Sequence, residues 1–193
     1  MLRRALLLSA ILPIAACATT RGTAEGEPSM TGSEEEQVAT GPSSATAQLA
    51  SKSGSNVTGN ARFTRQDDGK IQLVVQIEGA TPGTHAAHLH DVGDCSADDG
   101  SSAGGHWNPT THQHGKWEQD EHFHLGDIGN IEVGEDGTGT ITLTTDRWEL
   151  GTGGMVDVVG HSIIVHTDAD DFVTQPTGNA GGREACGVVS LDG

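Results

Sequence analysis

The stretch AHLHDVGDC (Ala87–Cys95), followed by SAGGHWNP (Ser102–Pro109) and HQHGKWEQDEHFHLGD (His112–Asp127), decides how the rest of the chain is read. The 40 residues from His88 to Asp127 carry seven of the chain's ten histidines. His88 and His90 form an H-x-H pair inside a segment that can be extended. There, residues two apart point to the same face, so one strand can supply two imidazoles. After Gly93 the composition turns to Gly, Ser, Asp and Asn, which reads as a long loop. His106, His114 and His124 follow at spacings of 8 and 10 residues, with Asp127 three residues after the last.

A nitrogen-rich, sulfur-poor donor set narrows the chemistry. Three imidazoles closed by one carboxylate make a tetrahedral zinc site, and further imidazoles suit copper. With His88, His90 and the later His166, there are enough imidazoles for both ions if one histidine bridges them. His85, His112, His122 and His161 are read as solvated surface side chains.

Working outward, helical patterning is scarce and period-two alternation recurs. Val57, Ala61 and Phe63 oppose Thr58, Asn60, Arg62 and Thr64, while Ile71, Leu73, Val75 and Ile77 oppose Lys70, Gln72 and Gln76. Asp68-Gly69 between them is a hairpin signal. Further strands fit residues 45–50, 86–91, 128–133, 138–144, 162–166 and 185–191. Eight short antiparallel strands predict an all-β domain over residues 45–193, an eight-stranded Greek-key β-barrel or sandwich. About 150 residues suffice for a sizeable core.

The ordered set AHLHDVGDC, SAGGHWNP, HLGDIGN (His124–Asn130), IIVHTDADD (Ile163–Asp171) and GNAGGREACGVV (Gly178–Val189) resembles the copper/zinc superoxide dismutases of bacteria, over about residues 45 to 193. The resemblance implies a barrel with long metal-binding and electrostatic loops. It implies copper on His88, His90, His106 and His166, and zinc on His106, His114, His124 and Asp127, with His106 shared. Asp170 would link His88 to His114 from outside the ligand set, fixing their tautomers. Arg183 would draw the substrate anion toward copper. The implied reaction is superoxide dismutation to dioxygen and hydrogen peroxide, with copper carrying the electron and His106 serving as catalytic proton store. A non-enzymatic copper- and zinc-binding envelope lipoprotein is the alternative. It needs neither Arg183 nor Asp170. A purely structural or adhesive lipoprotein, binding no metal, is a third.

Four departures from the resemblance stand out. The loop from His166 to Arg183 is short and lacks much of the charged loop of eukaryotic members, which puts the guidance of the anion in doubt. Trp107 follows the shared histidine where phenylalanine is usual, Glu184 sets an acid beside Arg183 that would blunt its attraction, and residues 146–159 match poorly. The oligomeric state is left open, a homodimer included.

Residues 1–16 place Arg3 and Arg4 before an apolar run too short to span a membrane, the pattern of a secretory signal. The run ends in Ile14-Ala15-Ala16-Cys17, which resembles the lipobox of bacterial lipoproteins. Cys17 would then carry the lipid, and Ala18 after it favours the outer membrane, facing the periplasm. Ordinary cleavage at small residues is the alternative. From Ala18 to about Ser44 almost nothing is apolar, so this segment reads as a disordered tether. That leaves Cys95 and Cys186, an even pair in an exported chain, and the resemblance implies a disulfide between them. With the signal removed, 8 basic face 27 acidic side chains, a net charge of −19 with neutral histidines. Such acidity disfavours nucleic acid as a partner and makes a local positive funnel necessary for capturing an anion.

Overall fold

A computed structural model of the chain describes residues 41–117, 119 and 122–193. The expected signal peptide, the lipidated Cys17 and nearly all of the tether lie outside these residues. The described part is all-β, with a single three-residue 3-10 turn at Ser101–Ala103.

The strands are β1 (Ser44–Ser51), β2 (Thr58–Arg65), β3 (Ile71–Glu78), β4 (Gly83–His90), β5 (Gly129–Val133), β6 (Gly139–Thr145), β7 (Ser162–His166), β8 (Arg183–Val188) and β9 (Ser190–Leu191). Hydrogen bonding follows the order β2-β3-β6-β5-β4-β7-β8-β1, and β1 pairs back with β2, so the sheet closes on itself with no free edge. All pairings in the ladder are antiparallel. The expected last strand is two segments: the chain breaks at Val189, and both β8 and β9 pair with β1. The eight-stranded barrel therefore stands. β4 begins three residues before the expected Ala86.

Alternation fills the barrel. Ala61 and Phe63 of β2 and Ile71, Leu73, Val75 and Ile77 of β3 are buried in one core with Ala87 and Leu89 of β4 and Ile163 and Val165 of β7. At Asp68-Gly69 the β2–β3 hairpin turns as its sequence predicts, with Gly69 at φ 82°.

Residues 146–159, the stretch that matches poorly, fold around one carboxylate. Asp157 accepts hydrogen bonds from the backbone N–H groups of Gly151 (2.9 Å), Gly153 (2.7 Å) and Val159 (3.0 Å). Burial works against its charge, but these donors outweigh it and hold its pKa below the usual carboxylate value. The turn so fixed lets Trp148, Leu150 and Val158 join the core.

The connections after β4 (residues 91–128) and after β7 (residues 167–182) carry His106, His114, His124, Asp127 and Asp170. Residues 91–128 return along the end of β4, where Trp107 N–H donates to Leu89 O and Leu89 N–H donates to Gly126 O, both at 2.8 Å. Gly126 is required at this crossing, because a Cβ would press into Leu89 O and lie 3.0 Å from Trp107 O. Cys95 and Cys186 form a disulfide with Cα atoms 5.7 Å apart, tying this loop to β8. The bridge packs with Ala103 and Ile164 in a small apolar cluster of its own.

Candidate metal centre

β4 is buried along its length from His85, and its two-residue period splits its side chains into two sets. Ala87 and Leu89 enter the barrel core, whereas His88 and His90 meet His106 from the first long loop and His166 from the end of β7. Each of these four imidazoles offers a nitrogen, and the four nitrogens lie within 4.8 Å of one another. A second group, His106, His114, His124 and Asp127, meets the same limit. All seven residues are buried, and His106 belongs to both groups.

The second group has the dimensions of a tetrahedral zinc site. Asp127 Oδ1 lies 2.9 Å from His106 Nδ1, 3.0 Å from His114 Nδ1 and 3.2 Å from His124 Nδ1. A tetrahedron of donors about 2.0 Å from a zinc ion has edges of about 3.3 Å. The Nδ1 atoms of His114 and His124 are buried without hydrogen-bond partners despite their closeness to the acid. Two ring nitrogens that close on a carboxylate without hydrogen-bonding it suit a cation between them. Asp127 is itself oriented: its Oδ2 accepts from the N–H groups of His124 (2.8 Å) and Gly115 (3.2 Å).

The first group has only nitrogens. His88 Nδ1 and His106 Nε2 are buried without partners, and His90 Nε2 and His166 Nε2 stand 3.4 Å apart. His106 thus turns Nδ1 to the acid of one group and keeps Nε2 buried and without a partner. Burial pushes its pKa down to about 4 against the pull of Asp127, and pushes His90 down to about 2. His166 is lowered well below the ordinary range for the same reason. Neutral imidazoles with free lone pairs are what a copper or zinc ion requires.

Asp170 joins the groups from behind. Its Oδ2 accepts from His88 Nε2 at 2.9 Å and its Oδ1 from His114 Nε2 at 2.8 Å, so the Nδ1 of each ring is the one left for a ligand. Burial opposes the charge on Asp170, but these bonds outweigh it and bring its pKa down to about 2. Burial likewise opposes a charge on His114, while Asp127 and Asp170 together hold that ring up to about 9. Gly178 makes room, since a Cβ there would fall on Asp170 Oδ1 and within 2.6 Å of His114 Nε2. Asp170→Asn keeps the shape but places a donor or a weaker acceptor against one ring. We expect zinc affinity to fall by roughly 10–100-fold, measured by competition with a chromogenic chelator, with the fold retained by circular dichroism.

Two residues that sequence reading passed over hold this framework. Asn130 of β5 donates from Nδ2 to Asp170 O and accepts from Asp170 N–H, at 2.9 and 2.8 Å. Gln175 donates from Nε2 to His114 O and accepts from His114 N–H, both at 2.8 Å. Side-chain amides in glycine-rich loops carry no local signal, because their partners are distant backbone atoms.

Arg183, half-buried at the start of β8, donates from Nη1 to Gly100 O and from Nη2 to Gly104 O, both at 2.6 Å. Gly104 O also accepts from His90 Nδ1 at 3.0 Å, so one carbonyl positions both the guanidinium and a ring of the first group. A bulge between β7 and β8 sets Arg183 opposite His166, while Ala185 stays opposite Val165. Glu184 is the residue left over.

The histidines read as solvated divide. His112 and His122 are exposed, and His161 is half-buried, resting on Trp107 with ring centroids 4.6 Å apart. His85 departs from the expectation: it is 2% exposed. Its Nδ1 lies 2.9 Å from His166 O and its Nε2 2.9 Å from Thr81 O. Alternation contained the signal, since the period that groups His88 with His90 places His85 with Ala87 and Leu89. Glu184 departs as well. Its Oε2 lies 3.1 Å from His85 Nδ1, outside hydrogen-bonding geometry, so its carboxylate is turned toward His85.

A family profile described as copper/zinc superoxide dismutase matches residues 57–189. Among solved structures, one titled "Crystal Structure Analysis of the clock protein EA4" is similar at 35% identity with a TM-score of 0.69, covering 78% of this chain and 96% of that one. The profile spans β2 through β8 and every residue of both donor groups, and with the closed barrel beneath them the chain belongs to the copper/zinc superoxide dismutase family.

Proposed function

We propose that this protein dismutates superoxide, with copper on His88, His90, His106 and His166 and zinc on His106, His114, His124 and Asp127. The observation that carries the reading is the shared imidazole of His106, which belongs to both donor groups and meets Asp127 through Nδ1, with Nε2 buried and without a hydrogen-bond partner. When bound, copper supplies one-electron redox chemistry and zinc, which has none, supplies fixed charge and order.

The protein's own side chains supply the rest. His106 Nε2, neutral and buried, can take up a proton and give it to a product oxygen. Asp127 holds the opposite nitrogen, so the ring keeps its orientation through the exchange. Asp170 fixes the tautomers of His88 and His114 together, which couples the two groups mechanically. Arg183 keeps its positive charge beside the first group on two carbonyl bonds, with Glu184 turned toward His85 and Asp99 the acid whose charge acts on the guanidinium. In a chain of net charge −17, this local field is what admits a small anion.

The test is superoxide decay by the purified, copper- and zinc-loaded protein, measured beside its copper content. Rapid decay proportional to copper supports the reading, whereas full copper occupancy without decay establishes the metal-buffer alternative. Arg183→Ala should lower the second-order rate by about an order of magnitude and flatten its dependence on ionic strength, with copper content unchanged. Unaltered kinetics would remove Arg183 from substrate capture.

We further propose that the chain is exported by a bacterium and anchored through lipid on Cys17 to the outer membrane, facing the periplasm. The support is the Arg3-Arg4 start, the apolar run and the Ile14-Ala15-Ala16-Cys17 ending. Cys17→Ser is expected to move the protein from the membrane to the soluble fraction and to abolish incorporation of labelled palmitate. Retention of the label in the variant refutes the anchor.

A further inference from the structure

The histidines of the zinc-type loop come in two doublets, His112-Gln113-His114 and His122-Phe123-His124. In each, an exposed imidazole precedes a buried one by two residues. The inner pair, His114 and His124, belongs to the group built on Asp127, with ring centroids 5.5 Å apart and planes inclined at 60°. The outer pair meets in the same way: the rings of His112 and His122 are 4.8 Å apart and inclined at 51°. Two tilted imidazoles at this separation can direct one nitrogen each to a common ion, as the inner rings do.

The chain is held on both sides of the outer pair. His112 N–H donates to Asn108 Oδ1 at 3.1 Å, and Asn108 Nδ2 donates to His112 O at 2.8 Å. On the other side Phe123 is buried against Trp117 with ring centroids 5.0 Å apart, and Trp117 Nε1 donates to His124 O at 3.2 Å. The backbone of His112 and the two residues that follow His122 are thereby fixed, which lowers the ordering cost of bringing the two exposed rings onto one ion. Two residues of chain keep the Cα of each outer histidine within about 7 Å of the Cα of a member of the inner group.

We propose that His112 and His122 form a surface site for a divalent transition-metal ion, which holds zinc directly outside the buried group before it enters. The role in zinc entry rests on the reading of that buried group as a zinc site; the surface site itself does not. Two imidazoles and water complete a shell that suits Zn²⁺, Cu²⁺ or Ni²⁺, while hard ions such as Mg²⁺ prefer oxygen donors. The acidic chain raises the local cation concentration for any of them.

The experiment is equilibrium dialysis of the purified protein, its buried sites already filled, against Zn²⁺ with excess Mg²⁺ present. About one weaker equivalent of zinc is expected. His112→Ala/His122→Ala and the milder His112→Gln should each lose it while retaining the tightly bound zinc. Absence of the weaker equivalent, its survival in the variants, or its displacement by Mg²⁺ overturns the site. Zinc uptake by the metal-free protein at limiting zinc should be slower in the double variant, with the same final occupancy. Equal uptake rates overturn the holding role. Failure of the buried site shows separately, as missing tight zinc in the unsubstituted protein.

Discussion

Replacing His106 with alanine is expected to empty both donor groups of a ligand at once and to abolish superoxide decay. The four-nitrogen group falls to His88, His90 and His166, and the three-histidine, one-aspartate group to His114, His124 and Asp127. The effect on zinc should exceed the roughly 10–100-fold lost when an outer partner such as Asp170 is changed, because a direct donor is removed from a tetrahedron. Asp127 would keep His114 and His124 nearby but would lose its hydrogen bond from His106 Nδ1. Metal content by mass spectrometry and superoxide decay together read the result. If one metal leaves and the other stays at full affinity, the two groups are independent and the shared-imidazole reading fails.

Reduction of the Cys95–Cys186 disulfide should give the largest loss of stability. The bridge closes a loop with a sequence separation of 91 residues. Chain entropy alone assigns such a closure roughly 4 kcal/mol, a large share of the ~5–15 kcal/mol typical of a domain. Cys95→Ser/Cys186→Ser should therefore lower the denaturation midpoint in guanidinium, with a much larger drop than a surface substitution produces. The consequence reaches the site. Gly100 and Gly104, whose carbonyls hold Arg183, lie on the loop that the disulfide fastens to β8. Rate constants in the reduced protein should fall at denaturant concentrations where circular dichroism still shows the barrel. A stability loss with unchanged kinetics would separate the disulfide from Arg183.

Much of this was legible in the chain because it rests on local periodicity. Alternation in residues 57–64 and 71–77 specifies half-buried strands whichever partners they find. The H-x-H pair at 88 and 90 must share a face of any strand. His112 and His122 were rightly read as surface residues, and Asp68-Gly69 as a turn.

What escaped was non-local or conditional. His85 reads as a solvated side chain although its register with Ala87 and Leu89 points inward; a polar side chain on an interior face looks misplaced until its acceptors, His166 O and Thr81 O, arrive from elsewhere. Glu184 looked like a competitor of Arg183 because the two are adjacent in sequence. The bulge beside Val165 and His166 changes the register of β8, and a bulge leaves no reliable mark in a single sequence. The break at Val189 escaped for the same reason.

The sequence by itself determined an all-β chain, its strand alternation, and a supply of imidazoles and one carboxylate at usable spacings, because these depend on neighbours within a few residues. Only the tertiary structure decided that His106 serves both groups, that Asp127 Oδ1 stands about 3 Å from three ring nitrogens, and that Asp170 reaches His88 and His114 together. Those distances arise from barrel closure and loop return, which bring β4, β7 and two long loops to one place at a sequence separation of up to 82 residues. No local preference encodes a distance of that kind.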